Sequence, residues 1–177
     1  MNIHNVWRDS WAVLRGYWYL RSVNSRGPLI RIWGRPSIRN QGVMVIGEKV
    51  RLASTIATTE LVTDGGRLEI GHHSFINYGC SIVATELVQI GANCTIGTHV
   101  IIMDNDFHRL EPEHRNERPE SAPVIIEDNV WLGARVIVLK GIRIGTGSVV
   151  GAGSIVNKDI PARSVAVGNP ARVIRKV

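Results

Sequence analysis

His108 is the residue best suited to move a proton in this chain. An imidazole with an ordinary pKa near 6.5 exchanges protons at neutral pH. It lies in the segment DNDFHRLEP, Asp104 to Pro112, with two carboxylates just before it, Asp104 and Asp106. Either carboxylate could orient the imidazole or bind a polar substrate. A zinc site is the competing chemistry. It would need three histidines meeting at one point, and His72, His73, His99 and His114 supply the numbers besides His108. Their places in the six-residue register described below differ, which argues against such a centre. Cys80 and Cys94 both take the small fifth position of that register, where Ser and Val sit elsewhere. They are expected to be buried, reduced filler and not nucleophiles or ligands.

The element that positions His108 is a break in a repeat. An apolar leader recurs at Ile46, Leu52, Ile70, Ile76, Ile82, Ile90, Ile96, Ile102, Ile126, Leu132, Val138, Ile144, Val150 and Val156. Gly or Ala often follows, as at Gly47, Ala53, Gly71, Gly91, Gly97, Gly133, Gly145 and Gly151. The fifth position is small or β-branched: Val50, Ile56, Ser74, Cys80, Cys94, Val100, Val130, Val136, Ser148 and Ser154. A helix would need a period of 3.6, and a hairpin sheet would alternate by two and carry Asn-Gly or Asp-Gly turns. The beat instead predicts very short strands joined by short turns and wound as a coil. Three units make one coil, and Ile126 to Ile144 spans that distance. The leader and the fifth residue should point inward and stack between coils.

Departures from eighteen residues per coil mark excursions. Thr63-Asp64-Gly65-Gly66 reads as a turn excursion, and a two-residue bulge falls near Thr85 to Val88. The longest departure lies between Ile102 and Ile126. It is charged, contains Pro112, Pro119 and Pro123, and forms a protruding loop over 103–125. A long loop inside a tight repeat is usually functional.

Residues 5–21 form a separate segment. Trp7, Trp11, Leu14 and Trp18 fall on one helical face, with Arg8, Arg15 and Arg21 off that stripe. The expected role is to cover an apolar end or side of the repeat. The sharper alternative is peripheral contact with a membrane surface, where Trp and Arg suit the interface. The chain thus divides into a helical capping segment (1–45), the coil (46–160) and a basic tail (161–177).

The chain has 177 residues, enough for one domain with a real core. No apolar run is long enough for a spanning helix, and no signal peptide is recognisable, so a cytoplasmic location is expected. The net charge of +6 and a pI near 9.9 suit a polyanionic partner. No nucleic-acid motif accompanies that charge, so a phosphate-bearing cofactor or an acidic glycan is the better fit.

The beat, the segment Asp128 to Lys176 and the His108 loop together resemble the hexapeptide-repeat acyltransferases. The C-terminal half is similar to the maltose, galactoside and nodulation O-acetyltransferases. The resemblance implies an all-β, left-handed parallel β-helix with a short N-terminal helix, acting as a homotrimer with sites between subunits. It implies acetyl-CoA as donor, no metal, and a hydroxyl acceptor, often on a sugar. His108 matches the family's general base, and direct attack without an acyl-enzyme follows. Asn77 aligns with an acceptor-contacting asparagine. Asp104 and Asp106 are further acceptor candidates. Trp131, Ala134, Gly151, Ala152, Asn157 and Lys158 match the coenzyme A groove, with the Ala134 amide as oxyanion donor. Arg172 and Arg175 could meet its phosphates. The first 45 residues lack the family's substrate-contacting N-terminus and look more like enzymes of surface-polysaccharide assembly, which implies a nucleotide- or lipid-linked sugar as acceptor; the membrane alternative for the helix would put this cytoplasmic protein at the inner face of a membrane. The alternatives are N-acetylation of an amino sugar and a trimeric scaffold without catalysis.

Overall fold

A computed structural model describes the backbone of residues 3–177 and the side chains from residue 9 onward. The side chains of Trp7 and Arg8 lie outside the described residues. Helix α1 spans Ile3–Tyr19, and nearly all the rest is short strand and turn.

Three parallel faces run along the coil. The first holds Ser25–Arg26, Val43–Ile46, Arg67–Ile70, Leu87–Ile90, Val124–Ile126 and Arg143–Ile144. The second begins Arg31–Gly34, Arg51–Ser54 and Phe75–Ile76, continues through Thr95–Ile96, Trp131–Leu132 and Val149–Val150, and takes in Ser164–Gly168. The third holds Ser37–Asn40, Glu60–Thr63, Ser81–Ala84, Ile101–Met103, Ile137–Val138 and Ile155–Val156. The chain visits the faces in rotation, so each coil lays one strand on each. The result is a parallel β-helix.

The leaders form three internal ladders. One is Ile46, Ile70, Ile90, Ile126 and Ile144. The second is Leu52, Ile76, Ile96, Leu132 and Val150. The third is Leu61, Ile82, Ile102, Val138 and Val156. Every one of these side chains is buried. The fifth-position residues fill the corners between them, and Cys80 and Cys94 are buried free thiols as expected. Burial pushes both thiols up to about 11.

Ile56 is a correction: it is 78 % exposed. The corner after Ser54 carries extra residues, so Thr59, two before Leu61, takes the buried corner position instead. Its hydroxyl donates to the Ala53 carbonyl and its amide to Ser54 Oγ. The surplus assigned to Thr63–Gly66 is therefore shared between two corners.

The boundaries also shift. The first coil starts at Ser25, inside the segment read as a cap. The beat is hidden there because Arg26 holds a leader position, opposite Ile46. Its guanidinium donates to the Tyr17 and Leu20 carbonyls and so closes the end of α1. At the other end the tail is part of the second face. Ser164–Gly168 pairs parallel with Val149–Val150, and Ala171–Lys176 folds back on it antiparallel.

Helix α1 packs over the N-terminal coil, but not by the expected stripe. Ala12, Gly16 and Leu20 are buried, whereas Trp11, Leu14 and Trp18 face outward.

Candidate functional site

The loop after Ile101–Met103 is held at its root by Asp104, which is fully buried. Its carboxylate accepts from the Thr85, Glu86 and Leu87 amides and from the Thr85 hydroxyl, at 2.7–3.0 Å. Asp104 therefore does not face an acceptor, which corrects that expectation. A carboxylate with this many donors is an anchor. Asn105, also buried, ties the two limbs together through Pro119 O and Ser121 Oγ. Asp106 is half-exposed and pairs with Lys140 Nζ at 2.7 Å. Lys140 also donates to the Glu120 carbonyl.

Phe107 follows at φ 61, held by Asn105 Oδ1 on its amide. A bulky residue at positive φ is uncommon and strained. Its consequence is to turn the chain sharply just before His108. His108 is exposed, and its Nδ1 lies 3.0 Å from the Arg115 carbonyl. A carbonyl only accepts, so Nδ1 carries the hydrogen, and the neutral ring keeps its lone pair on Nε2. A 3-10 turn at Pro112–His114 presents that carbonyl. Beside it, His114 and then Arg109 hold the Glu117 carboxyl below its ordinary range. The ring is thus oriented by backbone in an exposed position.

A second feature is the corner between the second and third faces. There Asn77, Gly97, Gly133 and Gly151 stack, followed by Tyr78, Thr98, Ala134 and Ala152. A Cβ on Gly97 would lie 2.7 Å from the Ala134 nitrogen, and one on Gly133 would lie 2.6 Å from the Ala152 nitrogen. Glycine is needed there for close approach of stacked corners. The left-handed backbone falls two residues later, at His99, Arg135 and Gly153. The consequence is a shallow corner on which the Ala134 amide meets no acceptor among the described residues. Asn77 has no positive φ, so it is not a left-handed turn residue. Its Oδ1 accepts from the Tyr78 amide at 2.9 Å, which leaves Nδ2 to donate elsewhere.

Comparison with known proteins gives the family. Residues 123–158 match the model of the hexapeptide repeat of succinyl-transferase. A Staphylococcus aureus (strain MRSA252) protein named as an acetyltransferase is 37 % identical over 151 residues, 81 % of this chain and 73 % of the relative. The chain belongs to the hexapeptide-repeat acetyltransferases. The solved galactoside acetyltransferase in complex with coenzyme A is 31 % identical, with a TM-score of 0.67 over 92 % of this chain and 69 % of that one. A mutant of AntD, an N-acyltransferase from Bacillus cereus in complex with dTDP and coenzyme A, is 26 % identical, with a TM-score of 0.73 over 92 % and 86 %. The chain spans only 55–56 % of other relatives, among them the Escherichia coli (strain K12) galactoside O-acetyltransferase.

In this member of the family the residues matched to the coenzyme A groove fall in two groups. Ala134, Gly151 and Ala152 share the corner with Asn77, and Trp131, 54 % exposed, stands on the adjoining outer side of the second face. Asn157 and Lys158 lie past the end of the third face in the last coil. Arg172 reaches towards them, with its Nη1 3.5 Å from Asn157 Oδ1. Arg175 is exposed on the terminal strand. Among the described residues no hydrogen bond or ion pair joins this corner to His108. Its loop leaves the opposite end of the third face, whose four-residue strands such as Ser81–Ala84 span about 13 Å. Asn105 and Thr85 are the supports that sequence reasoning missed. Nothing in the repeat distinguishes them from ordinary turn residues. Among the described residues no three of His, Cys, Asp and Glu gather as a metal-ligand set.

Proposed function

We propose that this chain transfers the acetyl group of acetyl-CoA to a hydroxyl of a sugar or a surface-polysaccharide precursor. The hydroxyl oxygen attacks the thioester carbonyl while His108 Nε2 takes its proton. The oxyanion of the tetrahedral intermediate accepts from the Ala134 amide. The C–S bond then breaks, and the imidazolium returns the proton to the departing sulfur. The products are an acetyl ester and coenzyme A. The observation that carries this reading is the His108 ring, fixed through Nδ1 on the Arg115 carbonyl with no partner on Nε2 among the described residues. Direct attack is supported by the state of the two thiols: both are buried, and burial keeps them protonated at neutral pH.

Asn77 Nδ2 is assigned to an acceptor hydroxyl, and Asp106 to the loop's edge nearest that acceptor. Trp131, Gly151 and Ala152 would line the coenzyme, with Lys158, Arg172 and Arg175 toward its phosphates. The departure of the His108 loop from the far end of the third face supports a site shared between copies, in which the loop of one subunit meets the Asn77–Ala134 corner of the next. A homotrimer is the assembly proposed. A cytoplasmic location suits a supply of acetyl-CoA.

N-acetylation of an amino sugar is the second reading, favoured by the likeness to an N-acyltransferase. The test is release of coenzyme A from acetyl-CoA against sugars, nucleotide-sugars and amino sugars. A product cleaved by hydroxylamine is an ester, and a resistant one is an amide. Absence of both turnover and coenzyme A binding would leave only a scaffold.

A further inference from the structure

Helix α1 has two apolar sides, and only one of them is used. Ala12, Gly16 and Leu20 lie against the coil, where Gly16 sits so close to the Ile30 carbonyl that no side chain would fit. The opposite side presents Trp11, Leu14 and Trp18, which are 63 %, 58 % and 66 % exposed, with Tyr17 beside them at 52 %. Single exposed apolar residues are ordinary, but a row of aromatics along one helix marks a contact surface. The Arg21 guanidinium lies 4.6 Å from the centre of the Trp18 ring, and that of Arg26 lies 5.0 Å from Tyr17's. The rim of the row is therefore cationic.

The distribution of charge says what would cover it. Residues 1–45 hold seven arginines, no lysine and one acid, Asp9. Residues 46–177 carry fourteen Lys and Arg against fourteen Asp and Glu. The whole formal net charge of +6 thus belongs to the segment that bears the aromatic row. Asp9 approaches Arg31 at 3.9 Å, while Arg15, Arg21, Arg26, Arg35 and Arg39 are exposed. A second copy of this chain would bring the same positive segment against a like charge or a neutral coil. An anionic bilayer surface offers the complementary charge, and its headgroup boundary suits indole rings flanked by guanidinium groups. No helix among the described residues is long and apolar enough to cross a membrane.

We propose that the outward face of α1 docks this protein flat on an anionic lipid bilayer, with Trp11, Leu14 and Trp18 entering the headgroup boundary and Arg15 and Arg21 meeting lipid phosphates. This proposal does not depend on the acetyl-transfer reading.

The test is cosedimentation of the full chain with vesicles of phosphatidylcholine, with and without phosphatidylglycerol, at low and high salt. Binding should be at least about tenfold tighter with phosphatidylglycerol and should weaken with salt. The variant Trp11→Gln/Leu14→Gln/Trp18→Gln should lose vesicle binding at unchanged oligomer size. The variant Arg15→Gln/Arg21→Gln leaves the aromatic row intact and should lose the preference for phosphatidylglycerol, which keeps the test decisive if the triple variant fails to fold. Equal binding to both vesicle types, or none, overturns the proposal. So does a change of oligomer size in the triple variant without vesicle binding by the wild type, because another copy then covers the row.

Discussion

The coil and the loop that leaves it are held by opposite means. In the coil, every inward side chain meets its counterpart one turn above and below, so stability is spread over three ladders of buried aliphatics. In the loop, every side chain from Asp106 to Arg118 is exposed, and position depends on Asp104, Asn105 and a few backbone contacts. The difference teaches why an interruption of the coil suits chemistry. A residue inside the coil is fixed by its neighbours and closed to substrate. A residue on the loop is open to substrate and can still be fixed when one buried carboxylate ties down the root.

Substitutions can break that contrast, and the largest stability effect should lie in the coil. Leu132→Ala removes a fully buried ladder member between Ile96 and Val150. It should cost about 2–5 kcal/mol in chemical denaturation and leave turnover of the folded fraction near normal. Asp104→Ala tests the loop's anchor. It strands the amides of Thr85, Glu86 and Leu87 and should cost about 3 kcal/mol. Unlike the ladder variant, it should also lower turnover in protein that remains folded, since the segment bearing His108 loses its root. Equal turnover in the two variants would erase the contrast.

The two buried thiols sharpen the coil's side of it. Their pKa is raised from 9.0 to about 11 by burial. A raised thiol pKa means that the folded chain holds its protons longer than the unfolded one. The stability this supplies is complete below pH 9 and is lost as pH climbs from 9 through 11. The loss should be roughly 2 kcal/mol per thiol relative to a Cys80→Ser/Cys94→Ser protein measured over the same range. The smallest effect belongs to the surface. Lys140→Met removes the half-exposed pair with Asp106 and should change stability by under about 1 kcal/mol.

Much of this was legible in the sequence, because a six-residue beat needs no long-range information to be read. The fourteen leaders first identified are all buried. Legibility failed where a corner lengthened: Ile56 kept the spacing but lost the position to Thr59. It failed again where an end was closed by a polar group, since Arg26 in a leader position hid the first coil. The Trp11, Leu14 and Trp18 stripe revealed a helix but not its orientation. Periodicity marks an apolar face, whereas a close-packed seam of Ala12, Gly16 and Leu20 carries a weaker signal and won the contact. At the site, the residue type and setting of His108 were readable. The burial of Asp104 was not, because the donors it meets are backbone amides one coil away.

The central claim is that His108 acts as the base for direct acetyl transfer. Its most direct test is turnover by His108→Ala with an accepted sugar, beside coenzyme A affinity measured on the same protein. The account predicts a fall of roughly 100-fold or more in kcat with coenzyme A bound as tightly as before. A variant that binds coenzyme A and keeps full turnover would contradict it.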